Sequence, residues 1–131
     1  MAARSTVAVA IALIISGCFP APPNVAGHWQ GRHPIPKDGI ASEPVKNTLE
    51  RVTLIIQPNG RYTMVWRGLD IAGDYSVADS EVTLTPKTVR NRPVTDLGEG
   101  MREFALTRRL RVSNGKLVGE FEGVKVVLTK I

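Results

Sequence analysis

The feature that most constrains this chain is a series of short segments in which apolar side chains recur at every second position. The clearest is the stretch 61–68, RYTMVWRG, where Tyr62, Met64 and Trp66 alternate with polar or smaller residues. A period of two is that of a β-strand with one buried face, whereas an amphipathic helix needs a period of 3.6. Beyond the N-terminal segment, no stretch shows a helical pattern of convincing length. The sequence therefore predicts a domain built from strands.

Eight such segments follow one another. The predicted strands are 26–33, 49–57, 61–68, 71–77, 81–86, 101–113, 116–122 and 124–131. Most are joined by short turns, of which Asn114-Gly115 is the clearest because both residues tolerate the positive φ of a type I′ hairpin. Two long loops, 34–47 and 87–100, interrupt the series.

Consecutive antiparallel strands protect their edges either by stacking as a sandwich or by closing into a barrel. Sequential hairpins with few long crossovers favour closure. We therefore predict an all-β fold, an eight-stranded antiparallel up-and-down barrel, over residues 26–131.

The head of the first strand carries a family resemblance. Gly27-His28-Trp29 resembles the Gly-x-Trp motif of lipocalins and of the shorter lipocalin-like domains of bacterial lipoproteins. The resemblance implies that Gly27 lets the first strand bend and that Trp29 closes one end of the barrel against a basic side chain from a late strand. Arg108, Arg109 and Lys130 are the candidates for that side chain.

The N-terminal segment has the pattern of a secretory signal. Arg4 precedes nine apolar residues, VAVAIALII, which as a helix would reach only about 13 Å, too short to cross a bilayer. Ile15-Ser16-Gly17-Cys18 then resembles the lipobox of bacterial lipoproteins, which implies cleavage before Cys18 and a diacylglyceryl group on its thiol. The alternative is an incidental cysteine in an uncleaved apolar segment.

On this interpretation, residues 1–17 are a signal peptide, 18–25 a lipidated cysteine with a proline-rich tether, and 26–131 the barrel domain. The acylated Cys18 would anchor the protein to a membrane of the cell envelope. Phe19 stands where enterobacterial lipoproteins retained in the inner membrane carry Asp, so the outer membrane, facing the periplasm, is expected if the organism has two. Without residues 1–17 the chain keeps 16 basic and 12 acidic residues, a side-chain net charge of about +4 that suits anionic lipids or glycans. A nucleic-acid partner is not expected for a secreted lipoprotein.

Catalytic and metal-binding chemistry are not expected. His28 and His33 face opposite sides of an unbent strand, so a metal site would need both together with an acid such as Asp38. We expect instead two partly exposed histidines at the barrel rim. With Cys18 acylated no thiol nucleophile remains, and no serine lies in a nucleophile elbow. We predict a protein without cofactor or metal that acts by binding and not as an enzyme.

The candidate ligand-binding residues are Tyr62, Met64, Trp66 and Arg108. The first three either line a cavity or form an ordinary core, since an eight-stranded barrel is just wide enough for either. Arg108 falls on the apolar face of its strand, so either a bulge at Arg108-Arg109 turns it outward or it points inward, where it binds an anionic ligand or closes the barrel beside Trp29.

Two functions remain open from the sequence. The first is carriage or sensing of a small apolar or amphipathic ligand inside the barrel. The second is a protein-interaction module of the envelope, such as a stress or assembly factor or a lysozyme-inhibitor-like protein. An open apolar cavity favours the first, whereas a filled core with an exposed patch favours the second.

Overall fold

The computed structural model describes residues 24–34 and 43–131. The predicted signal peptide, Cys18 and most of the predicted tether lie outside these residues. Within them, no helix has the length and apolarity needed to cross a membrane.

The described part of the chain forms nine strands, one α-helix and two 3₁₀ helices. The strands are β1 (Gly27–Arg32), β2 (Arg51–Ile56), β3 (Arg61–Trp66), β4 (Leu69–Ala78), β5 (Glu81–Val89), β6 (Arg92–Pro93), β7 (Arg108–Ser113), β8 (Lys116–Phe121) and β9 (Val124–Lys130). The α-helix α1 spans Glu43–Glu50, and the 3₁₀ helices span Val94–Asp96 and Glu99–Ala105.

Eight of these strands close into a ring. Each pairs antiparallel with the next along the chain, β5 pairs with β7, and β9 returns to β1 through the pairs Trp29 with Lys130 and Gln30 with Thr129. The two-residue strand β6 pairs only with the end of β5. The predicted eight-stranded antiparallel up-and-down barrel is thus confirmed.

The predicted alternation holds in the long strands. The inward set in β2, β3 and β5 is buried as expected: Val52, Leu54, Ile56, Tyr62, Met64, Trp66, Val82 and Leu84. Outward positions of the same strands, such as Arg61 and Thr63, are exposed. Val25, assigned from sequence to the tether, also packs into the core.

The prediction of one strand over residues 101–113 is wrong in its first half. Residues Glu99–Ala105 form a 3₁₀ helix, and β7 begins only at Arg108. Pairing between β5 and β7 stops at Leu84 with Arg108, and farther along β5 the residues Thr88 and Val89 pair with β6. At Thr88 and Val89, β6 therefore already occupies the edge of β5 that an earlier start of β7 would need.

The prediction of a loop over residues 34–47 is wrong where α1 begins. Pro44 lies in the first turn, where its missing N–H costs the helix no hydrogen bond. The helix sequence EPVKNTLE has only two large apolar residues, Val45, which is 51% exposed, and Leu49, which is half-buried. It therefore lacks the apolar stripe by which a helix is identified from sequence.

The two ends of the barrel differ. One, here called the turn end, carries the short turns 57–60, 79–80 and 114–115 together with the start of β1. The other, here called the covered end, carries α1, the 3₁₀ helices and the turns at Arg67-Gly68 and Glu122-Gly123.

Trp29 lies in β1, on the side of the turn end. Its indole Nε1–H donates to the Val25 carbonyl oxygen at 2.9 Å, and Lys130 Nζ lies 5.6 Å from the ring centroid. Of the three basic residues considered from sequence, Lys130 is the one that lies over Trp29. Gly27, at φ 140°, leaves space for the Lys130 side chain. A Cβ at position 27 would lie only 2.6 Å from Lys130 Cε.

A bulge between β4 and β5 makes Gly73 a test of the packing. Gly73 pairs with Pro86 where the register shifts, and a Cβ on it would collide with the Thr85 carbonyl oxygen and approach Pro86 Cα to 2.9 Å. We expect Gly73→Ala to lower the free energy of unfolding by about 2 kcal/mol, because backbone has to move. Urea unfolding monitored by circular dichroism measures this.

Gly98→Ala is the matched control for that substitution. Gly98 has a φ of −74°, and the space that the new methyl group would occupy is open, so the substitution should change the free energy of unfolding little. Equal unfolding midpoints for the Gly73→Ala and Gly98→Ala variants would contradict the close approach of the two strands at the bulge.

Candidate functional site

The candidate site is a group of polar side chains inside the barrel, which extends from Tyr62 near the start of β3 to the covered end. Arg108 is its centre, and only 7% of this residue is exposed. The register between β5 and β7 runs without a shift from Glu81 with Arg111 to Leu84 with Arg108. The alternative in which a bulge turns Arg108 outward is therefore wrong, and the guanidinium lies in the interior.

Two aromatic rings hold the guanidinium. Its Cζ lies 4.4 Å from the centroid of the Trp66 ring and 4.6 Å from that of Phe121. Stacking of a cation on aromatic faces replaces part of the hydration that burial removes. Trp66 in turn contacts Phe104 and Phe121, with centroids 4.8 Å and 5.2 Å apart.

The hydrogen bonds of Arg108 go mainly to backbone carbonyl groups. Nη2 donates to the Glu103 carbonyl oxygen at 2.9 Å, and Nη1 donates to that of Glu120 at 3.3 Å. The carboxylate of Glu103 lies 3.5 Å from Nη2, and this side chain is 35% exposed. Burial lowers the pKa of Arg108, and the charge of Glu103 opposes that shift. The buried cation thus has Glu103 as an acidic partner in contact, and the charge of Glu122 also favours its charged form.

Three buried polar atoms of the described part have no hydrogen-bond partner. They are the Tyr62 hydroxyl, Trp66 Nε1 and His33 Nδ1. An unpaired buried polar group costs roughly 1–3 kcal/mol. Trp66 contacts Arg108 directly, and His33 lies edge-on to Trp66 with centroids 5.7 Å apart. We call Tyr62, Trp66, Arg108 and His33 the interior polar cluster.

His33 differs from its sequence-based expectation. The residue is 2% exposed and not at an exposed rim, while His28 is exposed as its outward position predicts. His33 Nε2 lies 2.8 Å from the Phe121 carbonyl oxygen, which can only accept, so Nε2 carries a proton and donates to it. The described ranges 24–34 and 43–131 hold no group of three potential metal ligands, and Asp38 lies outside them.

Phe104, which the sequence pattern assigns to a strand, is instead part of the site. It is the buried residue of the second 3₁₀ helix and rests on Trp66. Nothing in its local sequence marks this role, because the ring that it covers is far away in the chain. The structure thus adds Phe104 and Phe121 to the residues singled out from sequence, and it brings His33 from its expected place at the rim into the interior.

Tyr62, Met64 and Trp66 all point inward and are at most 2% exposed. This burial is that of core residues, and their predicted contact with a ligand stays a prediction. Two open depressions border the candidate residues. One of about 540 Å³ is lined by Arg108, Arg109, Arg111 and Lys125, and another of about 500 Å³ is lined by Arg61, Tyr62 and Lys87.

Comparison with known proteins gives similarity to solved structures alone. No family model matches the chain, and no curated protein does. A lipocalin-like protein from Bacteroides uniformis ATCC 8492 is 19% identical, with 83% of this chain and 100% of that chain covered and a TM-score of 0.48. An uncharacterized protein from Bacteroides eggerthii DSM 20697 is 16% identical, with 81% and 98% covered and a TM-score of 0.43. At these values no residue of the site is interpreted from either likeness.

Burial of Tyr62 predicts a pH dependence of stability. Desolvation raises the pKa of the phenol above its usual range; the Arg108 charge opposes this shift and that of Asp74 adds to it. Because the folded state disfavours the phenolate, this stability is complete below the unfolded pKa of about 10 and is lost as pH rises above it. Urea unfolding between pH 8 and 11 should show a steeper loss for the wild type than for Tyr62→Phe.

At neutral pH the Tyr62→Phe variant should be at least as stable as the wild type, because the hydroxyl removed has no partner. Tyr75→Phe is the matched control, because it removes a phenol hydroxyl that donates to the exposed Gln57 carbonyl oxygen and not one buried without a partner. The same loss of stability above pH 10 in wild type and Tyr62→Phe would contradict the assignment.

Proposed function

We propose that this domain binds a small amphipathic ligand with an anionic head group inside the barrel, the head group resting on Arg108. The observation that supports this most is the buried guanidinium of Arg108, packed against both Trp66 and Phe121 with the Glu103 carboxylate 3.5 Å away. The apolar part of the ligand would lie along Tyr62 and Met64.

The buried charge and the unpaired polar atoms of the interior carry a free-energy cost that a ligand would offset. A barrel that needed only a stable interior would fill it with apolar side chains, since a buried charge and unpaired polar atoms are costly. An anionic group at Arg108 would balance the charge and accept a hydrogen bond from Trp66 Nε1. The Tyr62 hydroxyl would donate to a second acceptor of the ligand.

Movement of the Phe104 side chain would make room for the ligand inside the barrel. This ring sits on the 3₁₀ helix Glu99–Ala105, an element without a strand ladder to hold it. The bond from Arg108 to the Glu103 carbonyl oxygen ties the same helix to the site. A ligand that takes over Arg108 would therefore release the segment that carries Phe104.

Placement in the cell forms the second part of the proposal. The protein would be a non-enzymatic lipoprotein, cleaved before Cys18 and anchored through its acylated thiol to the cell envelope. In an organism with two membranes it would face the periplasm from the outer membrane. The lipobox-like Ile15-Ser16-Gly17-Cys18 supports this placement.

A protein-interaction module of the envelope is the second candidate. Two observations favour it: the interior side chains are almost fully buried, and the outer face of β7 to β9 exposes Arg109, Arg111 and Lys125 near a half-exposed Leu106. A partner of this surface would carry negative charge.

The ligand-binding proposal is tested with dodecanoate and dodecanol, two probes of one chain length that differ in head group. The full chain with Cys18→Ser, produced without acylation, would be titrated while the two tryptophan indole N–H signals are followed by NMR. Dodecanoate should shift the Trp66 signal, whereas Trp29, hydrogen-bonded to Val25 on the side of the turn end, should move little. Arg108→Met should weaken dodecanoate binding about 10- to 100-fold, the scale of one lost charge-assisted bond, and dodecanol binding much less.

Arg109→Met is the matched control, since Arg109 adjoins Arg108 in the same strand but faces outward. Native mass spectrometry of protein purified from the envelope should also reveal a small molecule bound to the wild type. A folded protein that neither retains a molecule nor binds dodecanoate would overturn the interior site and favour the interaction module.

The anchor has its own test. Cys18→Ser should abolish metabolic labelling by a fatty-acid analogue, because no other thiol exists in the chain to form the thioether. Labelling would be read from the purified protein in the native host, with Arg109→Met as a variant that should label normally. Persistent labelling of the Cys18→Ser chain would show that the lipobox interpretation is wrong.

A further inference from the structure

We infer that the ion pair between Arg67 and Glu122 is a strap across the covered end, which must open before a ligand exchanges with the interior polar cluster. This inference rests on the proposed function and concerns how its site is reached.

The strap joins opposite walls of the barrel. Arg67 lies in the turn between β3 and β4, and Glu122 in the turn between β8 and β9. In the ring of eight strands β3 and β8 are four places apart, so the two turns stand across the opening from each other. Nη1 of Arg67 donates to Oε1 of Glu122 at 2.8 Å and Nη2 donates to Oε2 at 2.6 Å.

Both turns carry a long charged residue at a position of positive φ. Arg67 and Glu122 have φ values of 54° and 51°, followed by Gly68 and Gly123 at 75° and 77°. At the first position of such turns Asn, Asp or Gly is preferred, as Asn114 illustrates in the turn between β7 and β8. Arg67 and Glu122 depart from this preference, as Arg90 does at φ 52° after β5, and their length lets the two side chains meet in a bidentate contact.

The strap lies against the site. The Arg67 guanidinium is 5.3 Å from the centroid of the Trp66 ring, the same ring that contacts Arg108. Glu122 is close enough to Arg108 for its charge to raise the pKa of that residue. Any molecule that reaches Arg108 from the covered end therefore meets this ion pair beside Phe104.

The strap is also weak enough to open. Both side chains are about one-third exposed, at 32% and 34%. Ion pairs at this exposure are screened by salt and contribute little to stability, so the closed and open forms interconvert readily. This predicts control over the rate of ligand exchange and little control over affinity.

The test uses the full Cys18→Ser chain with dodecanoate as probe and stopped-flow tryptophan fluorescence as readout. Arg67→Gln and Glu122→Gln should each raise the association and dissociation rates about fivefold, the factor expected for a partly exposed ion pair. The dissociation constant should change less than twofold. The double variant should match either single one, and exchanging the two residues, R67E with E122R, should restore slow exchange.

Glu99→Gln is the matched control. It removes the ion pair of Glu99 with Arg102 at 3.6 Å, which belongs to the same end but lies within one 3₁₀ helix. Unchanged rates in the Arg67 and Glu122 variants, with dodecanoate still bound, would overturn the strap and leave the proposed function standing. A change in affinity without a change in rates would likewise overturn it, because it would make the pair a ligand contact.

A readout without ligand separates the two proposals. Amide hydrogen exchange over residues 99–105 should become faster in Arg67→Gln and Glu122→Gln, with the Trp29 indole signal as a check that the barrel is folded. Faster exchange in a protein that binds no dodecanoate would overturn the proposed function and keep the strap as a closing contact. Unchanged hydrogen exchange would overturn the strap whether or not dodecanoate binds.

Discussion

The pairing of β1 with β9 is the constraint on which the rest of the structure depends. It joins the first strand to the last through Trp29 with Lys130 and Gln30 with Thr129, and the Ile131 amide extends it by donating to the His28 carbonyl oxygen at 2.8 Å. Gly31 permits this closure, because a Cβ there would run into the Val127 carbonyl oxygen. Once the ring is closed, none of its eight strands has an unpaired edge. The register of each strand then fixes which side chains point inward.

Closure divides the molecule into a rigid wall and two unlike ends. At the turn end the strands are joined by tight turns, whereas the covered end is built from α1, the 3₁₀ helices and side chains that reach across the opening. Side-chain contacts exchange more readily than strand ladders, because each replaces few bonds. Phe104, the Arg108 guanidinium and the Arg67–Glu122 pair all lie where the molecule is able to rearrange without losing its barrel.

Local patterns predicted the wall of the barrel but not the covered end. Period two identified the inward faces of β2 and β3, and Asn114-Gly115 marked its hairpin, because these signals lie within a few residues of one another. Arg108 points inward because β7 pairs with β5 in the register that places Arg108 opposite Leu84. The sequence alone did not determine that register. Two contacts of the covered end join residues far apart in the chain: Phe104 with Trp66, and Arg67 with Glu122. The spacing of apolar residues within one strand does not predict such contacts.

The position of Arg108 explains how one residue would serve both closure and recognition. Its guanidinium donates to the Glu103 carbonyl oxygen on the 3₁₀ helix and to that of Glu120 on β8, so it holds the segment bearing Phe104 against the wall. A neutral ligand that displaced this segment would leave the buried charge with fewer partners than before. An anionic ligand would replace the lost bond to a neutral carbonyl oxygen with a stronger bond to a charged acceptor. Under the proposed function, preference for an anionic head group therefore follows from the closed form itself, because an anion compensates for opening it better than a neutral acceptor does.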